Sequence, residues 1–156
     1  MPLTVRPIET DADWALAEAI RRAVFVGEQG YAEADEWDGW DWPADRGRRC
    51  RHLLAEADGR PVGTARWYAA GGGAKLGRFA LVPEARGRGW GRALVRAALA
   101  DARAAGHTRF VLHAQLHLRR FYEALGFAAD GEPFAEDGAA HLRMTRDEAP
   151  APSGGG

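Results

Sequence analysis

The stretch Arg86-Gly87-Arg88-Gly89-Trp90-Gly91-Arg92 carries the strongest chemical signal in the chain. Its glycines and arginines alternate between an apolar strand pattern ending at Pro83 and a helical pattern starting near Trp90. A turn of this kind directs several unpaired backbone N–H groups at one point, at the positive end of the helix dipole. Glycine leaves that backbone open to close approach by a phosphate, and Arg86, Arg88 and Arg92 add positive charge. Pro83 has no N–H for a ladder, so the strand must stop there and the chain must turn away. The Gly-Lys-Ser/Thr ending of a P-loop is missing, and the third glycine comes one residue early for the dinucleotide pattern.

The elements that must position this turn follow from periodicity. Leu3 to Ile8 reads as a strand, and Thr10 with Asp13 three residues on reads as a variant capping box. The helix that follows has Leu16, Ala17, Ile20, Ala23 and Val24 at helical spacing, one apolar stripe for a core. From Glu28 to Asp45 the periodicity is lost. That segment carries Glu28, Glu33, Asp35, Glu36, Asp38, Asp41 and Asp45 interleaved with Trp37, Trp40 and Trp42, and no basic residue before Arg46. It is expected as a surface loop with at most one short helix, around a pocket mouth. His52 to Ala57 and Pro61 to Tyr68 read as a hairpin about Asp58-Gly59-Arg60, and Ala69 to Ala74 as a second glycine-rich turn.

Leu76 to Val82 is then the strand feeding the arginine-glycine turn. The next helix has Leu94, Val95, Ala98, Leu99 and Ala102 as its apolar face and Gly106 as its stop. Phe110 to Gln115 is an apolar strand, Leu118 to Leu125 a helix stopped by Gly126, and Phe127 to Ala129 and Ala139 to Thr145 two closing strands around a loop. The order predicts an α/β fold with a mixed sheet flanked by helices.

Length and a 46% hydrophobic content fit one domain, expected over residues 1–146, with a disordered tail over 147–156. A net charge of −1 argues against a general nucleic-acid partner. A lone cysteine, Cys50, excludes an internal disulfide and a Cys-based zinc site, and no metal is expected. Met1 to Ile8 lacks the apolar core of a signal peptide, and no apolar run approaches the ~20 residues of a membrane helix. The chain is therefore expected in the cytoplasm, away from membranes, as a monomer or homodimer.

The pattern Arg-x-x-Gly-x-Gly at residues 86–91 resembles the acetyl-CoA pyrophosphate loop of the GNAT superfamily of N-acetyltransferases, and the element order is similar to that fold over about residues 3–146. Further residues resemble its ElaA-like branch: Val24 to Gln29, Tyr31, Glu33, Asp35, Asp38, His113-Ala114-Gln115, Phe121-Tyr122-Glu123 with Gly126-Phe127, and Phe134 to Gly138 before His141. The resemblance implies a mostly antiparallel central sheet in which the strand before the turn and the strand after the helix splay apart around pantetheine. It implies cofactor contacts at Ala80, Leu81 and Val82, at the loop residues Arg86 to Arg92, and at Gln115, where the family often carries Asn. It implies direct transfer from acetyl-CoA to an amine, with Tyr122 as general acid.

The acceptor side is read from chemistry. A lysine-like amine has a pKa near ~10.4, so neutralising it at pH 7 costs about 4–5 kcal/mol, and Glu28, His113 and His141 are the candidate bases. His52 and a Cys50 nucleophile between Arg49 and Arg51 are weaker candidates. Carboxylates beside tryptophans suit a cation, so Glu33, Asp35 and Trp37, with His141, are expected to bind the acceptor. A non-catalytic acyl-CoA sensor and an interaction domain built on the tryptophan loop are the alternatives.

Overall fold

In the computed structural model, which describes residues 2–149, Thr10 lies in extended backbone and its hydroxyl accepts the Asp13 N–H at 3.1 Å. Helix α1 (Asp11–Arg21) therefore starts at the cap that the sequence marks. Its buried face is Trp14, Ala17, Ile20 and Arg21, continued by Val24, while Leu16 is 39% exposed and Ala23 also faces solvent. The expected stripe is thus rotated, and the rotation carries Arg21 into the interior. A wider π-helical segment, Arg22–Glu28, continues α1; the Gln29 N–H reaches back to Val24 O at 3.0 Å.

Arg21 explains why the acidic stretch is not a solvated loop. The stretch holds two short helices, α2 (Glu33–Glu36) and α3 (Trp42–Asp45), and buries Glu36, Asp41, Trp42 and Asp45. Arg21 donates from Nε to Glu36 Oε2 at 2.7 Å and from Nη1 to Asp41 Oδ1 at 2.5 Å. Arg66 donates to Asp38 Oδ2 at 2.7 Å and Asp41 Oδ1 at 3.0 Å. Carboxylates can leave water as ions only when paired and hydrogen-bonded in this way, so the charges pull the segment inward.

The strands are β1 (Thr4–Pro7), β2 (Cys50–Ala57), β3 (Arg60–Ala70), β4 (Gly73–Leu81), β5 (Arg109–Gln115), β6 (Ala128–Ala129), β7 (Phe134–Glu136) and β8 (Ala139–Asp147). They form one mixed sheet in the order β1-β2-β3-β4-β5-β8-β6, with β7 also paired to β8; β7 falls where a loop is expected from sequence. All pairings are antiparallel except β4 with β5, which α4 (Trp90–Ala104) connects. Helices α4 and α5 (Arg119–Glu123) cover one face over a core including Leu53, Trp67, Leu76, Leu99, Phe110 and Met144. The other face packs Ile8, Trp14, Ile20, Phe25, Trp42 and Leu54.

The chain remains ordered past the expected start of the tail. Strand β8 includes Asp147, and Glu148 donates its N–H to Thr108 O at 2.8 Å and pairs with Arg103 at 2.7 Å. The remainder of that expectation, residues 150–156, lies outside the described residues. Among the described residues no helix is long and apolar enough to cross a membrane.

Candidate active site

Strands β4 and β5 pair at only two positions, Ala74 with Phe110 and Lys75 with Val111, and then diverge. Gly73 permits the junction, because a Cβ there would lie 2.5 Å from Arg109 O. A register shift opposite Thr64 to Arg66, with Arg78 in left-handed backbone at φ 53°, then bends β4 away from its parallel neighbour. The gap opens a cavity of about 370 Å³ lined by Leu76 to Phe79 of β4, by Leu112, His113 and Gln115 of β5, and by Tyr122.

Pleat alternation decides which backbone groups face this gap. The Val82 N–H donates to Val62 O at 2.9 Å, on the β3 side, so Ala80 is aimed the same way and Leu81 the opposite way, toward β5. Of the three residues expected to meet the cofactor, Ala80, Leu81 and Val82, only Leu81 therefore turns its amide to the gap; the other two face β3.

At the open end of the gap, Gly87 and Gly89 have φ of 80° and 78°, and a Cβ on either would meet nothing within 4 Å. No side chain caps α4, and the first amide of the helix to find a partner is Ala93, bonded to Gly89 O at 3.3 Å. The N–H groups of residues 87–92 thus face an uncapped helix start, a cradle that fits a phosphate. Gly91 differs: it sits in the first turn of α4, where a Cβ would make ordinary contact with Leu81 and Phe121 at 3.7 Å.

Arg88 and Arg92 are exposed, the Arg88 guanidinium lying 5.2 Å from the Trp90 ring centroid. Arg86 is occupied otherwise. It grips Glu28 through two hydrogen bonds of 2.6 Å and donates to Leu81 O at 2.9 Å. Replacing Gly89 by Ala is expected to cost about 1–2 kcal/mol of backbone strain, since the new Cβ meets no atom of the protein. The Kd for acetyl-CoA should rise at least tenfold, about 1.4 kcal/mol. An unchanged Kd by calorimetry would remove the phosphate from this loop.

Tyr122, near the end of α5, is buried among Phe79, Phe121 and Phe127 yet lines the cavity. Desolvation raises its phenol well above the usual range, with no charged or hydrogen-bonding neighbour offsetting it. Across the gap, His113 on β5 sets its Nδ1 3.0 Å from Glu136 Oε1, and His141 on β8 has Nε2 3.7 Å from Glu136 Oε2. Burial acts to raise the Glu136 carboxyl, but the hydrogen bond from His113 and the surrounding cations outweigh it and hold the group below its ordinary value. An Nδ1–H donated to Glu136 leaves the His113 Nε2 lone pair as a proton acceptor. Gln115 donates its amide to Gln29 Oε1 at 2.7 Å and Tyr31 Oη at 3.1 Å, joining β5 to the chain just after the π segment.

Several candidates from sequence fall outside this cavity. Glu28 is an exposed carboxylate that Arg86 holds below the usual range, which makes it a weak proton acceptor. Glu33 is held by Arg22 at 2.9 Å and by the Trp37 Nε1–H at 3.0 Å, and neither these residues nor Asp35 lines the cavity. Trp37 instead lies under the guanidinium of Arg21, 4.8 Å from its centroid. The wall carries Glu36, Asp38 and Trp40 from that segment, together with Lys75, Glu136 and Asp137. His52 bonds Trp40 O at 3.0 Å and does not line the cavity. Cys50 is fully buried and its thiol is pushed up to about 12 by desolvation, so it is no nucleophile. Glu136 was visible only as part of the Phe134 to Gly138 resemblance, and nothing in its local sequence marks it as the partner of His113. No cluster of three or more His, Cys, Asp or Glu residues suited to a metal ion occurs among the described residues.

A mixed sheet whose one parallel pair splays beside an uncapped helix start defines a class of acyl-group transferases. Residues 46–148 match the family model described as acetyltransferase (GNAT) domain, and the chain belongs to that family of acetyltransferases. Its relatives include the Bacillus subtilis protein YyaT, 35% identical over 93% of this chain and 96% of its own length. An acyl-CoA N-acyltransferase from Pseudomonas aeruginosa matches in structure with a TM-score of 0.80 at 30% identity, covering 94% of this chain and 99% of its own. Escherichia coli ElaA matches with a TM-score of 0.80 at 26% identity, over 94% and 100% of the two chains.

Proposed function

We propose that this protein transfers an acetyl group from acetyl-CoA directly to a primary amine, one that is protonated in solution. The observation that carries the reading is the splay of β4 from β5, which runs from the phosphate cradle to a cavity holding a paired histidine on one side and a buried phenol on the other. Acetyl-CoA supplies the acyl thioester. The amides of residues 87–92 hold the pyrophosphate, and Leu81 meets the chain of the cofactor between the strands. Gln115 ties the far wall of the gap to Tyr31 and Gln29.

His113 accepts the ammonium proton at Nε2 while Glu136 holds its Nδ1–H and so fixes the tautomer. The freed amine forms the new C–N bond as the C–S bond breaks, Tyr122 gives its phenolic proton to the departing sulfur, and the surplus proton on the new amide nitrogen returns to the phenolate. An ordinary phenol is a weaker acid than an ordinary thiol by about 2 kcal/mol. Burial raises Tyr122, and the same dry surroundings raise the thiol, so the donor and acceptor stay matched.

Calorimetric titration with acetyl-CoA followed by thiol release against a panel of amines tests the reading. Binding with thiol release on an amine supports it; binding without turnover on any amine overturns it in favour of an acyl-CoA sensor. His113→Gln should lower the single-turnover rate about 10²-fold at pH 7. The deficit should shrink as the pH approaches that of the free amine, because the base is needed only while the acceptor is protonated. A deficit independent of pH would take the base role from His113.

A further inference from the structure

The cavity wall places Asp137 next to Glu136 and His113, and Lys75 at the vertex of the splay, while Arg66 and Arg78 are paired with Glu36 and Asp38. Lys75 sits at the last β4–β5 pair, opposite Val111, so its side chain shares a face with His113 two residues farther along, about 7 Å at ~3.3 Å per residue. The ion pairs of the wall, Arg66 and Arg78 with Glu36, Asp38 and Asp41, and Glu136 with the two histidines, leave Lys75 without a carboxylate in contact among the described residues, although its charge reaches Glu136 at longer range. Arg78 donates Nη2 to Glu36 O at 3.0 Å and holds its Nε 3.3 Å from Glu36 Oε2, an ion pair without hydrogen-bond alignment. On the β3 side of Lys75, its partner Tyr68 stacks on Trp40 with ring centroids 3.9 Å apart and adds apolar surface to the wall.

From this arrangement we infer that the acceptor is a zwitterion: an amine presented to His113, joined by a short apolar chain to an anionic group that Lys75 binds. The inference rests on the transfer reading above and adds the chemistry of the acceptor's far end. A polyamine would bring its second ammonium against Lys75, whose like charge opposes it. A carboxylate there pairs with Lys75 in a half-enclosed site. The acids of that segment on the cavity wall, Glu36 and Asp38, are already paired: Asp38, which burial alone would raise, is held by Arg66 and Arg78 at about 2.

Three amines of one chain length test the idea: 5-aminopentanoate, 1,5-diaminopentane and 1-aminopentane. The unmodified protein should show kcat/KM at least tenfold higher for 5-aminopentanoate than for either of the others. In Lys75→Met that ratio should fall to about unity, and in Lys75→Glu the preference should pass to 1,5-diaminopentane, a reversal that a merely structural lysine cannot produce. Preference for the diamine in the unmodified protein, or a carboxylate preference that survives Lys75→Met, overturns the inference. Calorimetry of 5-aminopentanoate in the presence of CoA separates the two proposals. Binding abolished by Lys75→Met without thiol release from any amine retires the transfer reading and keeps the anion subsite. Absence of such binding to the unmodified protein retires the subsite.

Discussion

Tyr122→Phe is expected to lower kcat by 10²–10⁴-fold while leaving the Kd for acetyl-CoA unchanged, the size of a general-acid contribution. The substitution removes one oxygen and keeps the ring, so the contacts with Phe79, Phe121 and Phe127 survive. Desolvation is the one cause raising this phenol, with no hydrogen bond offsetting it, so deleting the hydroxyl should not lower the melting temperature. The loss must therefore appear in chemistry, and single-turnover rates on the best acceptor are the measurement to compare, because slow product release would hide part of it in steady state. A near-normal single-turnover rate would assign proton delivery to water or a histidine and reduce Tyr122 to a packing residue.

The second large effect is on stability. Arg21→Met should cost 3–5 kcal/mol in urea denaturation, because it leaves Glu36 and Asp41 buried without the guanidinium that meets both. Arg21 is 1% exposed, and Glu36 and Asp41 are 5% and 2% exposed, so water cannot take its place. Burial already holds the Glu36 carboxyl above its ordinary value, even with Arg21 and Arg78 beside it. A loss below about 1 kcal/mol would mean that Arg66 and Arg78 compensate for the missing charge. Because Glu36 and Asp38 line the cavity and belong to this network, the variant should also weaken acceptor binding at temperatures where it remains folded.

Sequence alone determined what depends on near neighbours in the chain. The cap at Thr10, the Asp58-Gly59 hairpin between β2 and β3, the run of strand, glycine turn and helix from β4 into α4, and the stop at Gly106 are each written in a few consecutive residues, whose backbone preferences act locally. The family and its fold were legible for the same reason, since the arginine-glycine turn and the Phe121-Tyr122-Glu123 stretch are contiguous words.

The tertiary structure decided what depends on partners far along the chain. Whether a carboxylate between Glu28 and Asp45 faces water or the interior turns on Arg21, Arg66 and Arg78, which lie on other elements; Glu33 and Glu36 look alike in sequence, but one meets Arg22 at the surface and the other Arg21 in the core. Which of Ala80, Leu81 and Val82 faces the gap follows from the register with β3, because a one-residue change in pairing reverses the direction of every amide. His113, one of three candidate bases in the sequence, acquires its partner only because β7 folds back on β8 and brings Glu136 from 23 residues away to its Nδ1. Hydrogen bonds and ion pairs act over about 3 Å of space regardless of the length of chain between them, so only the packed fold assigns these partners.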